Sequence, residues 1–216
     1  MTETNWLAHT YPPGMVRFVG ATASDRRLRL YACACARWAW GSDPDPRSRL
    51  AVETAERFAD GRATAEELAA AYRPARRVSI EWRARHPDDP HQFVLIAPAD
   101  AASRSAFEAA HTGSMDAGWG DDGDIESPAY AVLADLARCV FGNPFRAAAC
   151  DPRWRTADAV GLAGRIYEER AFERLTLLAD ALMDAGCADE SVLGHCRSDG
   201  PHARGCWVVD LVLGKA

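Results

Sequence analysis

The chain has 216 residues, with 25 Lys and Arg against 31 Asp and Glu, and a formal net charge of −6. Hydrophobic residues make up 48% and charged residues 26%, which is too apolar a mixture for an intrinsically disordered chain. The acidic balance offers no general attraction to nucleic acid or an anionic membrane, and no stretch reaches the ~18 apolar residues of a membrane span.

Residues 1–13 lack the basic start and apolar run of a secretory signal. The seven cysteines are Cys33, Cys35, Cys139, Cys150, Cys187, Cys196 and Cys206. With an odd count and no export signal, reduced thiols in a cytoplasm are expected. Residues 6–20, with Pro12, Pro13 and Gly14, read as an irregular lead-in or a short helix. Ser24 is an N-cap with Asp25 in the first turn. Leu28, Tyr31, Cys35 and Trp38 then mark one helical face, which Gly41 and the Asp-Pro run after it end.

A second helix starts near Arg47, with Leu50, Ala51, Thr54, Ala55 and Phe58 on one side, and closes at Asp60-Gly61. Thr64 and Glu67 match a capping box for a third helix, expected to stop near Tyr72 because of Pro74. Residues 78–85 fit a strand or a helix, 86–90 a loop, and the type of 93–96 is open. Residues 98–111 read as helix. Residues 113–127, with four glycines among five acids, read as a flexible surface loop and the boundary between two halves.

Helical spacing returns from Pro128 through Tyr130, Leu133, Leu136, Ala137 and Val140, until Gly142-Asn143-Pro144. Thr156 caps a helix bearing Val160, Ala163, Ile166 and Tyr167. Leu175, Leu178, Leu182 and Met183 form the next stripe, ending at Gly186. Asp189 caps a short helix over 190–197, and Pro201 is expected to open the last helix, running to about Leu213. The expected fold class is mainly α, an antiparallel helix bundle or helical stack with an irregular middle. Its regions are 1–75, 76–127 and 128–216, within one compact domain overall.

The densest chemistry lies near the carboxyl end. His195, Cys196, His202 and Cys206 supply the imidazole and thiolate ligands of a structural zinc site, although no Cys-x-x-Cys pair is present. The same stripe also reads as interior packing. Cys206 with His202 or His195 could supply a nucleophile and base, but no orienting third group is identifiable. Residues 182–197 carry a faint helix-turn-helix pattern. Asp189 and Glu190 would meet phosphate there, which argues against DNA binding.

The spacing of Cys33 and Cys35 on a helix does not chelate one ion; Cys35 reads as core and Cys33 as flank. Asp116, Asp121, Asp122, Asp124 and Glu126 fail the calcium-loop spacing. Arg26, Arg27, Arg29 and Arg37 read as a solvated basic flank.

Several segments carry a resemblance. These are Ser24-Asp25-Arg26-Arg27-Leu28-Arg29-Leu30-Tyr31-Ala32-Cys33-Ala34-Cys35, Phe141-Gly142-Asn143-Pro144-Phe145-Arg146, Asp151-Pro152-x-Trp154, Ile166-Tyr167-x-Glu169-Arg170, and His202-x-Arg204-Gly205-Cys206-Trp207-Val208-Val209-Asp210. Together they resemble an uncharacterised planctomycete-type bacterial family. The resemblance covers both ends of the chain and implies an α-helical protein without a nameable activity. The leading functional expectation is a non-enzymatic helical interaction module in the cytoplasm, with a protein partner and no nucleic acid or membrane. A zinc-stabilised helical module is the alternative, and a Cys–His enzyme or weak helix-turn-helix DNA binder a further one.

Overall fold

The computed structural model describes all residues except 41–43, 87–95, 119–127, 147 and 216. The described residues form twelve α-helices and no strand. The expectations for Gly41, for the loop 87–90, for 93–95 and for Asp121, Asp122, Asp124 and Glu126 lie outside the described residues. No described helix is long and apolar enough to cross a membrane. The chain divides into two compact units, Met1–Ala137 and Arg138–Ala216.

The first unit holds α1 (Glu3–Ala8), α2 (Pro12–Val19), α3 (Asp25–Ala39), α4 (Pro46–Ala59), α5 (Ala65–Arg85), α6 (Ala97–Ala101), α7 (Ala106–Gly118) and most of α8 (Pro128–Phe141). Ser24 caps α3 as expected, its hydroxyl accepting the Arg27 N–H at 3.4 Å. The periodicity predicts one buried face. Instead every residue from Leu28 to Ala36 is buried, because α4, α6 and α7 all pack on α3. Its small side chains, Ala32, Cys33, Ala34 and Ala36, let neighbours approach from several sides. Trp38, at the end of the expected stripe, is 41% exposed. Tyr31 donates its buried hydroxyl to the Leu133 carbonyl at 3.1 Å, tying α8 to α3.

Three local expectations change. Thr64 and Glu67 form the full capping box of α5, but the helix runs through Pro74 to Arg85. The ring removes one backbone donor. The carbonyl it would have bonded belongs to Ala70, an exposed residue that water can reach. Apolar contact through Leu68, Ala71, Ala75 and Val78 carries the helix across the gap. The expected 98–111 helix is broken in two. The buried Arg29 guanidinium captures the carbonyls of Ala101, Ser103 and Arg104 at 2.9, 2.7 and 3.2 Å, and Ser105 restarts the chain by capping Glu108 N–H. The third change is at Gly113, expected in a loop. It lies inside α7, where a Cβ would sit 3.8 Å from Asp100 Cβ and 3.9 Å from Ala32 Cβ. An alanine would fit there at ordinary van der Waals contact, so α7 packs on α3 without needing the glycine.

Of the expected basic flank, Arg29 is buried while Arg26, Arg27 and Arg37 are half-buried. Arg29 is 2% exposed, Arg37 holds buried Glu56 through bonds of 2.8 and 3.0 Å, and Arg26 meets Asp60 at 3.2 Å. Cys33 is also interior rather than flank, its sulfur 3.8 Å from the Val52 carbonyl. Burial pushes the Cys35 thiol up to about 12.

The second unit comprises the end of α8, then α9 (Ala157–Glu169), α10 (Leu175–Asp184), α11 (Glu190–Arg197) and α12 (Trp207–Leu213), with single 3-10 turns at Pro152–Trp154 and Phe172–Arg174. Thr156 and Asp189 cap α9 and α11 as the sequence indicates. Ile166, Tyr167, Leu175, Leu178, Leu182, Val192, Val208 and Val209 fill its core. The last helix starts six residues later than expected. Cys206 N–H bonds the Ala203 carbonyl in a turn, and Gly205 adopts φ 91, a left-handed conformation that a helix cannot pass through. Residues 198–206 are therefore a connector between α11 and α12.

Candidate metal centre

Four side chains of the second unit converge: Cys139 from the last turn of α8, His195 from the last turn of α11, His202 from the connector, and Cys206 at the N-cap of α12. One ligand atom from each lies within 4.8 Å of all the others. His195 Nε2 is 3.2 Å from Cys206 Sγ, and His202 Nδ1 is 3.7 Å from Cys139 Sγ. In a tetrahedron with bonds of about 2.3 Å to sulfur and 2.0–2.1 Å to nitrogen, neighbouring N and S atoms lie roughly 3.6 Å apart. The two separations bracket that value.

Local structure explains the convergence. Gly142 ends α8 in the left-handed region at φ 68, and a Cβ there would sit 3.2 Å from Trp207 Cγ. This close approach brings the start of α12, and Cys206 with it, beside Cys139. Trp207 lies 5.4 Å from the His195 ring, which meets the His202 ring edge-on at 5.0 Å. His202 Nε2 lies 3.2 Å from the Ser198 carbonyl oxygen. A carbonyl only accepts, so Nε2 carries the proton and Nδ1 turns a lone pair toward the sulfurs.

The two sulfurs are buried and the two imidazoles half-buried. Burial alone would raise the Cys206 thiol. Hydrogen bonds from Cys139 and His195 outweigh it and hold Cys206 well below the ordinary thiol range. Cys139 is pushed up, first by its hydrogen bond to Cys206 and then by burial. The two thiols are thus shifted in opposite directions beside two imidazoles. A divalent cation would take both as thiolates and be held by two sulfurs and two nitrogens.

Three of the four ligands expected from sequence, His195, His202 and Cys206, come together. His202 and Cys206 meet across a turn, because the helix expected to carry both begins only at Trp207. Cys196 is not among them. It lies on α11 in the apolar core with Val192 and Leu182, its thiol raised chiefly by burial. Cys139 takes the fourth position. It is 63 residues from His202, and no local spacing marks it; the signal was only an unassigned cysteine at a helix end.

Elsewhere, Asp189 accepts the N–H groups of Ser191 and Val192. The end of α11 that a recognition helix would bring to phosphate therefore already carries its own anion. No protein-family model matches the chain, and no curated protein or solved structure matches it either.

Proposed function

We propose that residues 138–216 form a zinc-stabilised helical module, with Cys139 Sγ, His195 Nε2, His202 Nδ1 and Cys206 Sγ as ligands. The convergence of two thiols and two correctly turned imidazoles carries the reading. Four protein ligands fill a tetrahedral shell and leave no open position for substrate, which makes the ion structural rather than catalytic. Cys206 has no exposed surface, a poor setting for a nucleophile and a good one for a ligand. The ion would link α8, α11 and α12 through a connector that has little helix of its own. Replacing zinc with Co2+ tests this. The expected spectrum has the intense visible bands of a tetrahedral site and thiolate-to-cobalt charge transfer. Weak octahedral bands would reject it.

The chain's role, on this reading, is non-enzymatic binding of a protein partner in the cytoplasm. Exposed apolar side chains on α4, α5 and α10, such as Leu50, Ile80 and Leu177, support it. Such residues are common singly on any surface, so this second reading stands behind the first. Mass photometry and affinity capture test it, and a chain that remains monomeric and captures nothing would count against it.

A further inference from the structure

A groove of about 610 Å³ opens in the first unit between α5 and the α6–α7 turn, independent of the metal centre. Its size falls within the range of small-molecule sites. Phe58, Leu68, Ala69, Tyr72 and Ala102 line its apolar part. Arg73 on one wall and Arg104 on the other are exposed, and neither forms an ion pair among the described residues. The wall formed by 102–104 is fixed from behind, because Arg29 binds the carbonyls of Ala101, Ser103 and Arg104 while lying 5.1 Å over the Phe58 ring.

Arg29 adds positive charge behind the groove wall. It is 2% exposed, and all its hydrogen bonds go to neutral carbonyls. A guanidinium stays charged when buried. Asp25, one helical turn away, meets part of its charge, and the remainder adds positive potential behind the apolar wall. Arg73 and Arg104 add to it. The two acids at the groove, Glu66 and Glu108, lie in the first turns of α5 and α7. Helix dipoles offset them there. Glu66 is further engaged by its own N–H and the Thr64 hydroxyl, which hold its carboxyl below the usual range. The groove thus combines an apolar body with two guanidinium and two carboxylate groups at its rim and a buried cation behind its wall.

We propose that this groove binds a small organic carboxylate with an apolar body, its carboxylate held between Arg73 and Arg104. The two guanidinium groups suit carboxylate oxygens by geometry as well as charge.

The test is isothermal titration of the full chain with 2-naphthoate, and with neutral 2-naphthamide as the isostere. Naphthoate is expected to bind saturably, and the amide about tenfold more weakly or worse. Arg73→Ala and Arg104→Ala should each weaken naphthoate about tenfold while narrowing its advantage over the amide. Ala69→Trp, at an exposed position, should fill the groove and abolish binding with the helical circular dichroism unchanged. Equal binding of acid and amide, affinity unmoved by both arginine variants, or no saturable binding would each overturn the proposal.

Discussion

His202 Nε2 lies 3.2 Å from the carbonyl oxygen of Ser198, and this one contact fixes which imidazole nitrogen faces the sulfurs. Metal-binding histidines commonly have their second nitrogen anchored in this way. Binding zinc requires neutral imidazoles and deprotonated thiols, so the site releases protons on loading and loses affinity as pH falls. Chelation at neutral pH is expected to lower the unfolding temperature of the chain, and acidification below about pH 6 to do the same. Calorimetry with and without chelator checks this. An unfolding temperature that chelator does not move would remove the metal from the account.

Asp100, on α6, and Asp116, on α7, test the first unit. Burial first, and then the neighbouring Asp116, push the Asp100 carboxyl up to about 8. The sign follows from proton counting. Between the unfolded carboxyl value near 4 and about 8, the folded chain holds a proton that the unfolded chain has lost. Stability from this group is therefore fully present below about pH 4 and is lost as pH rises to 8. Asp100→Asn should flatten that slope and stabilise the chain at pH 8 by about 1–3 kcal/mol. Denaturant melts at pH 5 and pH 8 measure it, and an unchanged slope in the variant would refute the raised Asp100 carboxyl.

Arg29 is expected to be the costliest single arginine to remove. Arg29→Met leaves one buried and two part-buried carbonyls without their donor and should cost about 3 kcal/mol or more. Arg85→Met, at an exposed position on α5, should change stability by less than about 0.5 kcal/mol. Urea unfolding of both variants gives the comparison, and near-equal losses would contradict the interior role of Arg29.

Gly142 and Gly61 separate backbone strain from crowding. Both are left-handed, at φ 68 and φ 69. An added Cβ meets nothing within 4 Å at Gly61 but lies 3.2 Å from Trp207 Cγ at Gly142. Gly61→Ala should cost about 1 kcal/mol, the left-handed penalty alone. Gly142→Ala should cost at least about 1 kcal/mol more and weaken metal binding by moving α12 away from Cys139. Equal costs in thermal melts would mean that the Trp207 contact is not limiting.

Local signals in the sequence were legible where they act locally. Ser24, Thr64 with Glu67, Thr156 and Asp189 all mark helix starts because a cap needs only neighbours in the chain. Distant partners were not legible. Nothing near Arg29 says that its guanidinium will break a helix more than 70 residues away. The persistence of α5 through Pro74 depends likewise on tertiary contact. At the metal centre the two histidines and Cys206 could be read from their closeness in the chain. Cys196 was the natural fourth choice by sequence distance. Its side chain faces the core instead, and Cys139 arrives through the close approach of Trp207 to Gly142.

That exchange of one cysteine for another provides the most direct measurement. The full chain, Cys139→Ser and Cys196→Ser are each loaded with zinc under reducing conditions, desalted and analysed for metal content. The predicted result is stoichiometric zinc in the unaltered chain and in Cys196→Ser, and its loss in Cys139→Ser. Zinc retained by Cys139→Ser, or absent from the folded unaltered chain, would contradict the proposed centre.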